Sequence, residues 1–301
     1  MDKNIVEKLG KKLYFRKKNN TYRRYLVYRL RCAFHSKYIN ETINFFDQNE
    51  LRRSIFEACP SFIDQITRQV FYKNSTWEER MQIVFHHFSV LEKIYQKDLL
   101  EKLYIQGERV TVWEDVYQEK PIKMQLWFHD GQRKEGCLSL VIYYEGMDLF
   151  QIMFWLNKDA AGTPALYIGA LQGPRNGNEI IKGLTKAFFG YRPKNLIFYG
   201  LRNIAHCFGA EKIYAVCNEG YYAMNHLRMD RKLKTDFAKF WQECEGKQSA
   251  DYRFYEIPVA EYRKAMEEMK PSKRAQHRRR FEKMDQVKEA ISLTLANFAR
   301  K

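Results

Sequence analysis

The chain lacks most of the short signatures that betray a reaction. Its six cysteines, at 32, 59, 137, 207, 217 and 244, include no C-x-x-C pair, so the spacing of a zinc ribbon or a thioredoxin-type centre is missing. His86 and His87 are adjacent. On a helix, neighbouring side chains diverge by about 100° and cannot share a metal, and no other Cys or His stands at ligand spacing. Neither a G-x-S-x-G elbow nor a P-loop occurs, which weighs against the corresponding hydrolase and nucleotide-hydrolase classes. The longest apolar runs, Leu138–Tyr144 and Ile152–Leu156, are too short to span a bilayer. The first twenty residues mix charge throughout, with no apolar stretch before a small-residue cleavage site, so no secretory signal is expected. The cysteines then read as reduced core thiols of a cytoplasmic protein. Internal repeats and low-complexity tracts are also missing.

What is present is a real core and an uneven charge. Hydrophobic residues make up 45% of the 301 positions and aromatics 15%, enough apolar surface to exclude bulk disorder. Residues 1–37 carry 12 Lys/Arg against 2 acids, and residues 270–283 carry 7 against 1. Those two pieces account for the whole net charge of +16 and leave the body neutral. Two basic ends on a neutral body point to an anionic partner: lipid, nucleic acid or an acidic polymer.

The first hundred residues read as helices. Tyr22, Tyr25, Leu26, Leu30 and Phe34 follow a helical stripe, with Arg24 and Arg31 on another face. Thr76-Trp-Glu-Glu79 is a capping box at the mouth of a long helix, whose apolar repeat Val84, Phe88, Leu91, Tyr95, Leu99 runs until Gly107. After Gly107 the residues become β-branched and aromatic. Ile122–His129, Gly136–Glu145 and Leu149–Asn157 read as three antiparallel strands, divided by turns at Asp130-Gly131 and Gly146-Met-Asp. Ala165–Leu171 is a fourth strand. Helices are expected over 178–189, 195–208 and 235–243, strands over 212–217 and Tyr252–Ile257, and a basic helical tail over 259–299. The expected organisation is α+β: a helical subdomain (1–107), a mixed α/β domain (108–258) and a basic C-terminal helix (259–301).

The most informative stretch is Leu166-Tyr-Ile-Gly-Ala-Leu-Gln-Gly-Pro-Arg-Asn-Gly-Asn-Glu179, a buried strand, a glycine-bearing loop and a helix start. Two readings stand. Backbone N–H groups at the helix start, Gly173 and Gly177 for close approach, Gln172 and the Arg175 guanidinium could cradle a phosphate. Alternatively this is an ordinary strand-to-helix turn with Asn178 as N-cap.

Residues from about 136 to the C-terminus resemble the VirK/YbjX family of Gram-negative bacterial proteins. The resemblance rests on Leu166-Tyr-Ile-Gly-Ala-Leu-Gln-Gly-Pro174, Phe189-Gly-Tyr-Arg-Pro-Lys194, Lys234-Thr-Asp-Phe-Ala-Lys-Phe-Trp241 and Lys273-Arg-Ala-Gln-His-Arg-Arg-Arg280. It implies a role in virulence, surface-protein placement or stress, with no established reaction. The element order also resembles the acyl-CoA N-acyltransferase fold. There three antiparallel strands lead to a fourth, whose loop meets a pyrophosphate, and a fifth splays beside it; Phe208-Gly-Ala-Glu-Lys-Ile-Tyr-Ala-Val-Cys-Asn218 has the rhythm of that fifth strand. The likeness implies acyl or aminoacyl transfer from an acyl-CoA or other phosphate-bearing donor. Two departures stand against it: the glycine spacing of the loop, and an additional helix, 195–208.

Candidates for proton transfer are His226, near a buried strand end where α/β ligands often sit, and Glu145. Arg228 is a candidate anion clamp. The bland reading of His226 is a hydrogen-bonded surface residue. Lys273, Arg274, Arg278, Arg279 and Arg280 form the densest basic patch. Three readings stay open for it: a solvated helix, an anionic lipid or lipopolysaccharide-precursor site on the inner membrane, where each basic residue adds about 1 kcal/mol, and nucleic acid. A single aromatic, Phe281, and no standard binding motif weaken the last. Tyr14, Phe15, Tyr22 and Tyr25 interleaved with the N-terminal basic residues read either as a membrane-surface signature or as a terminal helix packed with its charges outward.

Overall fold

The computed structural model describes residues 3–15, 21–174, 177–225 and 236–300. Among them, seven α-helices come first: α1 (Lys3–Tyr14), α2 (Thr21–Phe34), α3 (Ser36–Asp47), α4 (Glu50–Ala58), α5 (Ser61–Thr67), α6 (Trp77–Ile94) and α7 (Lys97–Leu100). The capping box forms as read: Thr76 accepts from Glu79 N, and Glu79 accepts from Thr76 N at 2.7 Å. The run from Val84 to Gly107 is not one helix. Tyr95 turns extended and bridges Ala299, α7 follows, and a π-helical turn over Glu101–Gln106 ends at Gly107. At Tyr95 the chain pairs with the segment 298–300: Gln96 N donates to Phe298 O at 2.8 Å and Arg300 N to Ile94 O at 2.9 Å.

Among the described residues eight strands follow in one sheet: β1 (Val110–Tyr117), β2 (Lys120–Trp127), β3 (Leu138–Tyr144), β4 (Met147–Lys158), β5 (Pro164–Gln172), β6 (Lys212–Val216), β7 (Lys247–Gln248) and β8 (Phe254–Ile257). Their spatial order is β1-β2-β3-β4-β5-β6-β8-β7. β5 and β6 run parallel, and every other neighbouring pair is antiparallel. The parallel crossover carries α8 (Asn178–Ala187) and α9 (Pro193–Cys207); α10 (Phe237–Glu243) and α11 (Pro271–Asn297) complete the chain. This is an α+β architecture with a mixed sheet, a helical N-terminal region and a C-terminal helix.

α6 packs against β4, whereas α9 and α11 pack against β3, β4 and β1. Strands clamped between helix layers bury both faces, and Phe150–Leu156 is buried at every position. One continuous apolar cluster runs from Val6 to Leu295. The helical tail is shorter than expected: residues 258–270 are irregular apart from a turn at Met266–Glu268, and Pro271 opens α11 at its first turn. Met284, Val287, Ile291 and Leu295 then give it a buried stripe.

Candidate functional site

β5 and β6 pair only from Ala165↔Lys212 to Ile168↔Ala215. Beyond Ile168, β5 continues to Gln172 without β6 beside it. At that parting β5 carries a bulge: Met153 pairs with Ala170 and Phe154 with Ile168, so Gly169 is the additional residue. A Cβ on Gly169 would stand 1.9 Å from the Glu135 carbonyl oxygen. Glycine is needed here because another backbone lies directly on the strand.

That backbone belongs to the β2–β3 connection, which is not the tight Asp130-Gly131 turn expected from sequence. Asp130–Gln132 forms a short 3-10 turn inside a ten-residue loop. The helical region ties the loop down. Gln65 of α5 donates to the carbonyls of Arg133 (2.7 Å) and Gly136 (2.9 Å), and Arg133 pairs with the buried Asp64 at 2.9 Å. Phe71 N donates to Lys134 O at 2.8 Å.

Pinned this way, Glu135 is 5% exposed. Its carboxylate accepts from Gln172 Nε2 at 2.8 Å and from the Tyr221 hydroxyl in a very short bond. Burial raises its pKa above the ordinary carboxylate range, opposed by Tyr221, Lys134 and Gln172. Lys134, half-buried and 6.0 Å from the Tyr222 ring centroid, is pushed down by desolvation and by Arg68 and Arg133. Tyr221 is held in place by its backbone bridge to Tyr72. A buried, partly solvated-out carboxyl with two polar partners, at the point where parallel strands part, has the makings of a proton-transfer site. No sequence signal distinguishes Glu135; only the fold buries it.

The residues named from sequence fare differently. Gln172 belongs to this cluster. Gly173 lies against the Phe150 ring, 3.0 Å from a would-be Cβ, so its glycine serves packing on the described side of the loop. Gly177, not Asn178, is the N-cap of α8, and it has no side chain to cap with; Asn178 is the first residue of the helix. Arg175, His226 and Arg228 lie outside the described residues. Glu145 sits at the β3–β4 turn with positive φ and pairs with Lys120, apart from the Glu135 cluster.

Of the basic patch on α11, Arg280 donates twice to Phe189 O (2.8 and 3.2 Å) and Arg274 to Met269 O and Glu267 O. Lys273, Arg278 and Arg279 remain exposed. On α2 the core takes Tyr25, Tyr28 and Cys32, while Tyr22 (65% exposed), Leu26, Val27, Leu30 and Phe34 (82%) face outward. Of the helical stripe Tyr22, Tyr25, Leu26, Leu30 and Phe34, only Tyr25 is buried. Residues four apart advance 40° per step, so Tyr22, Leu26, Leu30 and Phe34 make one outward apolar arc, with Arg23 within it and Arg24 and Arg31 beside it. No helix among the described residues is long and apolar enough to cross a membrane.

Residues 17–292 match the model of a family described as a protein of unknown function, DUF535. The chain is 32% identical over 230 residues to the uncharacterized protein YbjX of Escherichia coli (strain K12), covering 74% of this chain and 68% of that one. It is also 30% identical over 125 residues to an uncharacterized protein of Haemophilus influenzae, covering 40% and 41% of the two chains. A second uncharacterized H. influenzae protein is 23% identical over 202 residues, covering 64% and 66%.

Proposed function

We propose, for a chain that belongs to the DUF535 family of unknown function, that it transfers an acyl or aminoacyl group at the parting of β5 and β6, in a cytoplasmic protein serving the cell envelope. The observation that carries this reading is Glu135, buried at that parting and bonded to Tyr221 and Gln172. The antiparallel run β1–β5, with β6 parallel to β5 across a helix-bearing crossover, supports it by its likeness to the acyl-CoA N-acyltransferase order, with one additional strand before the crossover. In the reaction, Glu135 takes a proton from the attacking amine or hydroxyl as its bond to the acyl carbon forms. The bond to the leaving sulfur or oxygen breaks, and the proton returns to that leaving atom through Tyr221. The donor's phosphates would meet the start of α8 with Gly173, Arg175 and Gly177. Gln172, already committed to Glu135, orients the base rather than the phosphate.

Thermal melting with a panel of CoA thioesters and aminoacyl donors tests the reading, because a ligand that binds only the native state raises Tm. A donor that raises Tm for the wild type and for Glu135→Gln, yet is consumed only by the wild type, is the expected result. No shift with any donor would refute it.

A second reading is favoured by α2: a non-catalytic module that rests on anionic lipid through its apolar arc and arginines. Sedimentation with phosphatidylglycerol vesicles, lost in Leu30→Glu/Phe34→Glu and weakened by salt, would support docking. Docking without any donor response would favour the module alone.

A further inference from the structure

A cavity of about 280 Å³ lies on the sheet face beneath the start of α6, and it does not touch the Gln172–Asn178 loop. Its apolar wall is made of Tyr72, Trp155, Tyr167 and Phe254, and its rim includes Gln82 and Asn157. Trp155 and Tyr167 are cross-strand neighbours with nearly parallel rings, 9° apart at 5.6 Å. Tyr214 continues the row at 5.0 Å from Tyr167. Five charged residues line it; Glu78 and Lys158 are exposed, and the other three are engaged. Arg253 holds Asp251 at 2.6 Å and donates to Lys73 O, and Glu79 is taken by the capping box.

What remains unspent is specific. Trp155 is fully buried, and its indole N–H has no hydrogen-bond partner among the described residues. A buried donor left unmade costs about 1–3 kcal/mol, which an acceptor would recover by displacing a wall ring, since the indole is closed to water. The amides of Gln82 and Asn157 each offer both donor and acceptor. Apolar ring faces, an unsatisfied N–H and two bifunctional amides match a ligand with an apolar C–H face and hydroxyls that both give and take hydrogen bonds. Arg253, Asp251 and Glu79 are already engaged, and the remaining two, Glu78 and Lys158, are of opposite sign and favour neither an anion nor a cation. The volume is at the small end of ligand pockets, about that of a single ring.

We propose that this cavity binds one neutral hydroxylated ring of the monosaccharide class. The site is separate from the transfer reading, so Glu135→Gln should leave binding unchanged.

The test is saturation-transfer NMR on the full chain with glucose, galactose, mannose and N-acetylglucosamine, and with adenosine and choline as competitors. At least one sugar should show transfer at its ring protons. Affinity should fall at least tenfold in Gln82→Ala/Asn157→Ala with Tm unchanged, and severalfold in Trp155→Phe, which keeps a ring and removes the N–H. Transfer from none of the sugars would overturn the proposal. So would transfer that the rim variants leave unaltered, or stronger binding of adenosine or choline.

Discussion

Glu135 is held against the bulge of β5 by the bonds that Gln65 and Phe71 make to its own loop. Its neighbours Lys134 and Gly136 form no motif, and Glu145, ten positions on, looks as good a base on paper. Position decides between them: Glu145 pairs with Lys120 at a hairpin tip, while Glu135 is buried against a bulged strand. Because burial raises its pKa, the folded protein holds that proton more tightly than the unfolded chain does. Stability therefore falls as pH rises from the ordinary carboxylate range through the folded value, with a slope of at most about 1.4 kcal/mol per pH unit. Glu135→Gln removes the charge and keeps the geometry, since the amide can accept from Gln172 and donate to the Tyr221 oxygen. Urea midpoints from pH 4 to 8 should show this downward contribution in the wild type and not in the variant, which should be at least as stable at pH 8. A variant several kcal/mol weaker at pH 8 would mean that ionised Glu135 is a structural anchor instead.

At the scale of elements, α11 divides its arginines between two tasks. Arg280 and Gln276 both donate to Phe189 O, at the positive-φ turn that closes α8. Arg278 and Arg279 face solvent. Arg280→Ala should cost about 1–3 kcal/mol, the range for losing charge-assisted bonds to a half-buried carbonyl, and Arg279→Ala almost nothing. Urea unfolding of both variants checks the split, and equal costs would contradict it. The sequence shows that this run is basic but not which arginine turns inward, because that depends on a turn some ninety residues earlier. Other elements were legible where local chemistry decides them. The Thr76 capping box and strands β2 to β6 carry their own signals of cap and apolar patterning. β1 escaped because its hairpin to β2 turns through Gln118 and Glu119, both at positive φ, where asparagine or glycine would have announced the turn. The Asp130-Gly131 signal misled in the opposite sense, marking a local bend inside a loop whose path is set by Gln65 and Gly169.

Across the whole molecule, His87 joins the helical region to the sheet. Leu156 N of β4 donates to His87 Nδ1 at 3.2 Å, so the ring proton sits on Nε2 and is given to the Tyr104 hydroxyl at 2.7 Å. The Tyr104 hydroxyl in turn donates to Cys137 O at 3.1 Å, at the edge of the Glu135 loop. The imidazole is fully buried, and desolvation pushes its pKa down to about 3. Below about pH 6.5 the unfolded chain takes up a proton that the native state refuses, so each further pH unit can cost up to about 1.4 kcal/mol until the folded value is reached. The stability is present above the unfolded pKa and is lost as pH falls. His87→Asn keeps an acceptor for Leu156 N and cannot titrate. It should be less stable than wild type at pH 8, from the lost Tyr104 bond and the smaller ring volume. Between pH 6.5 and 4 it should lose less stability than wild type, so the two urea-midpoint curves converge. Parallel curves would show that acid loosens the molecule through its carboxylates and that the His87 junction has no part in it.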